Sequence, residues 1–309
     1  MGTPVFAVPA LLAVAQACEV AAVVTQPDRP RGRGRNAGAS AVAQVAAELG
    51  LETLKPERLN TPEWTQLLGA IKADLFAVVA YGAILKPALL SLPRLGAVNL
   101  HGSLLPEYRG ASPVQRALWD GRAATGVTTL WMNEGIDTGD VIRQCWAPIA
   151  STDNGETLAA RLAELGAPLL AESLMLAHAG MAPRITQPAI GSYAARLAKH
   201  DGVIDWALDA ETVWNHQRSV TPWPGATTWF RDGRVQITSA IPVHRLHVDA
   251  APGTILTQDA QGVEVACRPG VLRVLRLKQE GRAEMATPDW ARGMRLTEQE
   301  HFEPMEKAT

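Results

Sequence analysis

The chain has 309 residues, 47% of them hydrophobic and 19% charged, with a formal net charge of −2. This is the composition of an ordinary soluble protein with room for two domains, and the balance of charge gives no support to a protein that coats nucleic acid or a membrane surface. Cys18, Cys145 and Cys267 lie far apart, so a reduced compartment fits better than a disulfide frame or a zinc site, and no apolar run approaches the length of a membrane span. The N-terminus has no basic segment ahead of its apolar residues, which argues against a signal peptide.

In chain order, "GTPVFAVP" (2–9) reads as a turn entering a helix, the usual exit from a strand, although only Met1 stands before it. "CEVAAVVTQ" (18–26), "DLFAVVA" (74–80), "GAVNLH" (96–101) and "GVTTLWM" (126–132) are short apolar runs bounded by turn residues and read as buried strands. Between them, "SAVAQVAAELG" and "TPEWTQLLGAIKA" have helical spacing, and "SPVQRALWDG" has Ser112 to cap and Pro113 to open a helix. The alternation predicts a mostly parallel sheet with helices on both faces. Asp153 and Glu156 are spaced as a capping box for a long helix with Leu158, Leu162, Leu165 and Leu169 on one stripe, ended by Gly180 and Pro183. Residues 181–200, irregular and containing two prolines, read as a linker between a domain at 1–180 and a second at 201–309. The second domain is predicted to have a helix at 209–219 and then about five short strands, a pattern that suggests a small barrel.

Asn99 and His101 are two apart in a strand and therefore project to one face, at the strand end where open α/β sheets bind ligands. An amide that donates in a fixed direction and an imidazole that moves protons near neutral pH equip a site for attack on a carbonyl. The plainer reading is an Asn capping a turn and a His satisfied by local backbone. A carboxylate beside the imidazole would fix its tautomer, and "MNEGIDTGDVI" (132–142) offers Asp137 or Asp140, between which spacing does not choose. Ser103, Leu104, Leu105 and Pro106 read as a stiff extended segment whose main chain lines a groove, with "VVAYGAILKP" (78–87) as the other wall. Arg29, Arg31, Arg33 and Arg35 alternate with Pro and Gly in a loop suited to phosphates. Arg273, Arg276, Lys278 and Arg282 suggest a second positive strip, and His244 and His247 have no third ligand and read as surface residues.

These segments together resemble the methionyl-tRNA formyltransferase family over nearly the whole chain. They include "GTPVFA", "TQPDRPRGRGR", "VVAYGAILKP", "NLHGSLLPEYRGASPVQRAL", "TGVTTLWMNEGIDTGDVI", "DGVIDW" and "TPWPGATT". The resemblance implies a Rossmann-like α/β formyltransferase domain followed by a small all-β, OB-like barrel. It implies formyl transfer from 10-formyltetrahydrofolate, without a metal, to the methionine of initiator methionyl-tRNA in the cytoplasm by a monomer. It assigns catalysis to Asn99, His101 and Asp137, folate binding to Ser103, Leu104, Leu105 and Pro106, and tRNA contact to Arg33, with Arg31 and Arg35 beside it. "NAGASAVAQ" (36–44) departs from the family's usual run after the arginine loop. The family also carries a hydrophobic strand before Gly-Thr-Pro, so the expectation is that the true start lies upstream and that Met1 corresponds to an internal methionine. A sugar-nucleotide formyltransferase or a formyltetrahydrofolate hydrolase would use the same Asn, His and Asp but would have no use for the arginine loop.

Overall fold

Four strands form the sheet that carries the catalytic candidates: β2 (Leu75–Val79), β3 (Gly96–His101), β4 (Ala124–Trp131) and β5 (Val141–Pro148), in that order across the sheet; β1 (Val23–Val24) precedes them in the chain. The computed structural model describes residues 1–30, 37–245, 248–297 and 299–304. The chain divides into two compact units. The first comprises Met1–Pro113, Ala124–Pro148 and Ala159–Ala194; the second comprises Val114–Ala123, Ile149–Leu158 and Ala195–Thr309.

In the first unit β2 and β3 are parallel, with Val79 opposite Leu100, whereas β4 and β5 run antiparallel to their neighbours. The sheet is therefore mixed rather than mostly parallel. For the β4–β5 pair the reason lies in the connection. A parallel crossover takes a dozen or more residues, usually a helix, but β4 and β5 are joined by only the turn at 132–140, which returns the chain antiparallel. Sequence reading ended this region at Met132 and missed β5, whose outer positions are polar or exposed. Helix ends follow side-chain chemistry. Ser40 Oγ accepts from the Ala43 amide at 3.0 Å, and Thr61 Oγ1 caps the helix Pro62–Ile71. The helix Gly155–His178 is capped by Asn154, whose Oδ1 accepts from Glu156 and Thr157, and not by the Asp153–Glu156 box. Asp153 instead accepts from the Ala150 amide one turn earlier.

Of the expected strand at 18–26, only Val23–Val24 pairs as strand, with Thr53–Leu54. Met1 and Gly2 lie between β1 and β2: the Gly2 amide donates to Val24 O, the Val79 amide to Met1 O, and the Met1 ammonium to Ala77 O at 2.6 Å. Next to them is a cavity of about 620 Å³ lined by Ala21, Val23, Leu75, Phe76, Leu170 and Leu174 among others. Burial lowers the Met1 ammonium to about 5, because a charge without solvent is disfavoured.

The second unit is a curled antiparallel sheet of β6 (Ala226–Phe230), β7 (Gly233–Val243), β8 (Ile255–Asp259), β9 (Gly262–Ala266), β10 (Val271–Gln279) and β11 (Phe302–Glu303), in the order β8-β9-β10-β7-β6-β11, with Met285–Ala286 pairing β10. The two ends of that order meet: the Ile255 amide donates to Glu300 O, Phe302 to Gly253 O, and Gln299 to Ile255 O. This closes the sheet into a barrel and, among the described residues, leaves no long free edge. Trp206, Phe230, Trp290 and Phe302 fill it, with ring centroids 4.9–5.8 Å apart. The expected positive strip of Arg273, Arg276, Lys278 and Arg282 is neutralised in part, since Arg273 pairs with Glu264 and Arg276 with Glu284.

The helix Ala210–Ser219, capped by Asp209, buries His216. Its Nε2 donates to Asp201 O at 2.6 Å, and its ring meets Trp119 edge-on at 4.6 Å. Burial lowers His216 below 6.5, and the Asp201 carbonyl and carboxylate offset this only in part. The unfolded chain thus takes the proton more readily than the folded one, so stability rises with pH through the window just below 6.5. The melting temperature should therefore fall between about pH 7.5 and about pH 5.5, and His216→Gln should flatten that part of the profile while lowering the curve. An unchanged slope in the variant would assign the pH dependence elsewhere.

Candidate active site

β3 ends in Asn99, Leu100 and His101, and the pleat separates them. Leu100 packs under the helix at Gly166, while Asn99 and His101 turn to the opposite side and meet one carboxylate. That carboxylate belongs to Asp137. The Asn99 amide donates to its Oδ1 at 3.3 Å, and His101 Nδ1 lies 3.5 Å from its Oδ2. The Gly110 amide donates to Oδ2 at 2.9 Å. Asp140 serves the turn instead: its carbonyl accepts from the Trp131 amide. His101 is 6% exposed, and its Nε2 donates to Tyr108 O at 2.8 Å. Nε2 therefore carries a proton held by the protein. Nδ1, outside the usual 2.7–3.2 Å range to Asp137, is the nitrogen left to exchange a proton with a substrate. Among the described residues, the second Asn99 N–H has no protein acceptor.

Both partners of His101 sit on unusual backbone. Tyr108 has φ 59° and Asp137 φ 53°, left-handed values that cost a non-glycine residue on the order of 1–3 kcal/mol. Such positions persist only when their surroundings hold them. Gly110, with φ 108°, accepts a conformation that an L side chain resists, and a Cβ there would lie 2.6 Å from Ala194 O.

The Ser103–Pro106 segment is not the extended elbow expected. Leu105 to Tyr108 form a turn that includes a cis Leu105–Pro106 bond. Much of its main chain is already engaged. Thr128 Oγ1 accepts from the Leu105 amide at 3.1 Å and donates to Ser103 O, while Gln144 Nε2 donates to Leu105 O at 2.8 Å. Ser103 is fully buried and its hydroxyl donates to Glu107 O; Leu104 packs on Gly126. The segment is thus a rigid wall that presents apolar surface more than free amides. Opposite it in the sheet order, the loop after β2 is pinned by Asn60, which donates to Ile84 O and accepts from the Lys86 amide. Burial pushes the Tyr81 phenol in that loop up to about 12, so it packs rather than titrates. Arg31, Arg33 and Arg35 lie outside the described residues, as does His247.

Sequence reading missed Thr128, Gln144, Tyr108, Gln187 and Ser192. Two threonines inside the apolar run "GVTTLWM" were the available signal for the first of these. Among the described residues there is no group of three or more His, Cys, Asp or Glu able to hold a metal, and no helix is long and apolar enough to cross a membrane.

Residues 7–174 match the formyl transferase family and 196–295 its C-terminal domain. The solved N-formyltransferase from Helicobacter canadensis, in complex with folinic acid and dTDP-3-aminofucose, superposes with a TM-score of 0.64 at 17% identity, covering 88% of this chain and 96% of that one, which shows the shared fold. Much closer in sequence are the methionyl-tRNA formyltransferase of Solibacter usitatus, 44% identical over 97% of this chain and 96% of the relative, and that of Symbiobacterium thermophilum, 43% identical over 99% and 95%. At that identity, sustained from one end to the other, the chain belongs to the methionyl-tRNA formyltransferase family.

Proposed function

We infer that this protein transfers the formyl group of 10-formyltetrahydrofolate to the α-amino group of methionine on initiator methionyl-tRNA. The observation that carries the reading is the convergence of Asn99 and His101 on the Asp137 carboxylate at the end of β3, in a chain of this family. The folate co-substrate supplies an activated formyl group. The residues present suit it, since a rigid, largely apolar wall at Ser103–Pro106 stands beside a cluster of donors.

Asn99 donates its uncommitted N–H to the formyl oxygen as negative charge gathers there, and one such donor is worth roughly 10²–10³ in rate. His101, its ring anchored through Nε2, receives at Nδ1 the proton that the attacking amine sheds and delivers it to the departing nitrogen. Asp137 keeps the imidazole in place and, through Oδ1, fixes the Asn99 amide. We assign the folate and the reaction to residues 1–180, and contact with tRNA to residues 201–309 and to Arg31, Arg33 and Arg35. The protein is proposed to act as a monomer in the cytoplasm.

The test is to incubate the protein with 10-formyltetrahydrofolate and, in separate reactions, methionyl initiator tRNA, a dTDP-amino sugar, or no acceptor. Folate turnover with the charged tRNA alone is the expected result. Turnover with the sugar nucleotide alone would move the protein to the sugar enzymes, and equal turnover without acceptor would make it a hydrolase.

A further inference from the structure

The irregular stretch after the long helix is tied to the centre along most of its length. The Ile185 and Val141 amides donate to each other's carbonyls at 3.0 and 2.8 Å. Tyr193–Ala194 pairs in parallel with Arg109–Gly110. Between these anchors two side chains reach inward. Gln187 spends both amide hydrogens on the catalytic turn, donating to Asp137 O at 2.9 Å and Gly139 O at 2.7 Å. Its Oε1 accepts from Arg109 Nε and Nη2 at 3.2 and 3.0 Å, which fixes the amide's orientation. Ser192 Oγ accepts from the Tyr108 amide at 2.8 Å and donates to Glu107 Oε2 at 2.6 Å.

Asp137 and Tyr108 are the two protein partners of His101, and both hold left-handed backbone. We propose that Gln187 and Ser192 are positioning residues for formyl transfer: this strap holds each partner in its strained conformation and so sets the place of the imidazole. The proposal rests on the reading of Asn99, His101 and Asp137 as the reacting centre. It gives the segment a role in catalysis that its composition does not suggest.

The test is steady-state formyl transfer by Gln187→Met, which keeps the side chain's length and removes its donors, and by Ser192→Ala. Each is expected to lower kcat about tenfold or more with KM for both substrates nearly unchanged, and to displace the pH profile of kcat, because His101 then meets a displaced partner. In an Asp137→Ala background Gln187→Met should cost less than about twofold, since its route to His101 is already cut. Wild-type kcat and pH profile, a loss confined to KM, or a full additive loss in the Asp137→Ala background would overturn the proposal. If Gln187→Met fails to fold, Ser192→Ala carries the same test through Tyr108. Full turnover by Asp137→Ala alone would instead overturn the reading of the centre, so the two failures are distinguishable.

Discussion

His101→Ala is expected to slow formyl transfer by about 10²–10⁴, the range for losing a positioned proton carrier, with folate and tRNA affinity retained. The imidazole is almost wholly buried and doubly held, by Tyr108 O at Nε2 and by Asp137 near Nδ1. Alanine keeps the strand and removes the only ring in this position. Asn99→Ala should cost about 10²–10³ through the lost oxygen contact. Asp137→Ala should cost a similar amount by another route, because it frees Asn99, His101 and the Gly110 amide together. The three losses should not add: residues that act as a unit fail as a unit, so the triple variant should be close to the worst single one. His101→Ala also removes the buried hydrogen bond from Nε2 to Tyr108 O, a bond worth about 0.5–1.5 kcal/mol of stability. Single-turnover rates at saturating substrate, with thermal melts of the same samples, separate chemistry from folding. Near-full turnover by any of the three, with folate bound normally, removes that residue from the mechanism.

Much of this centre is legible in the sequence. The i, i+2 spacing of Asn99 and His101 requires a shared face once residues 96–101 form a strand, and they do so with the boundaries read from the sequence. The identity of the carboxylate was not legible from spacing. Asp137 and Asp140 both lie in one Gly-rich turn, and the choice depends on a left-handed residue at 137 that points its side chain back toward β3. The groove wall looks extended in the sequence because the residue before proline avoids helix, but that preference acts on Leu105 alone and not on the turn through Tyr108. Residues 183–194 were opaque for a similar reason. Their bonds go to partners 44 to 85 residues away, so no local periodicity records them. In the second unit the strands were legible from turn spacing, but their closure was not. It depends on Gly253 and Ile255 meeting 299–302, and the 299–302 side shows no strand pattern of its own.

Gly139→Ala is expected to remove activity to about the extent of Asp137→Ala, although the methyl group touches no substrate. A Cβ at Gly139 would overlap the carbonyl oxygen of Trp131 and lie 2.9 Å from its carbonyl carbon. Those atoms are main chain at the end of β4, where the Trp131 amide also donates to Asp140 O at 2.8 Å. No side-chain rotation relieves the clash, so the turn must open. Opening it breaks the Trp131–Asp140 bond, carries off the Gly139 carbonyl that Gln187 holds, and moves Asp137 two residues upstream. Overpacking of this kind costs about 1–3 kcal/mol, which a domain with a core of this size survives, so the protein should fold with a displaced carboxylate. Gly135 in the same turn is the control. A Cβ there meets the hydroxyl of Thr138, an exposed side chain that can rotate away at the loss of one exposed hydrogen bond, to Asn133 Oδ1. Gly135→Ala should keep its rate to within about threefold and its melting temperature to within a few degrees, in line with a surface substitution. Equal losses in the two variants would show that the turn tolerates no change anywhere, and would rule out the Trp131 carbonyl as the cause. A fully active Gly139→Ala would show that the turn opens without moving Asp137, and would separate the carboxylate's position from the backbone on which it sits.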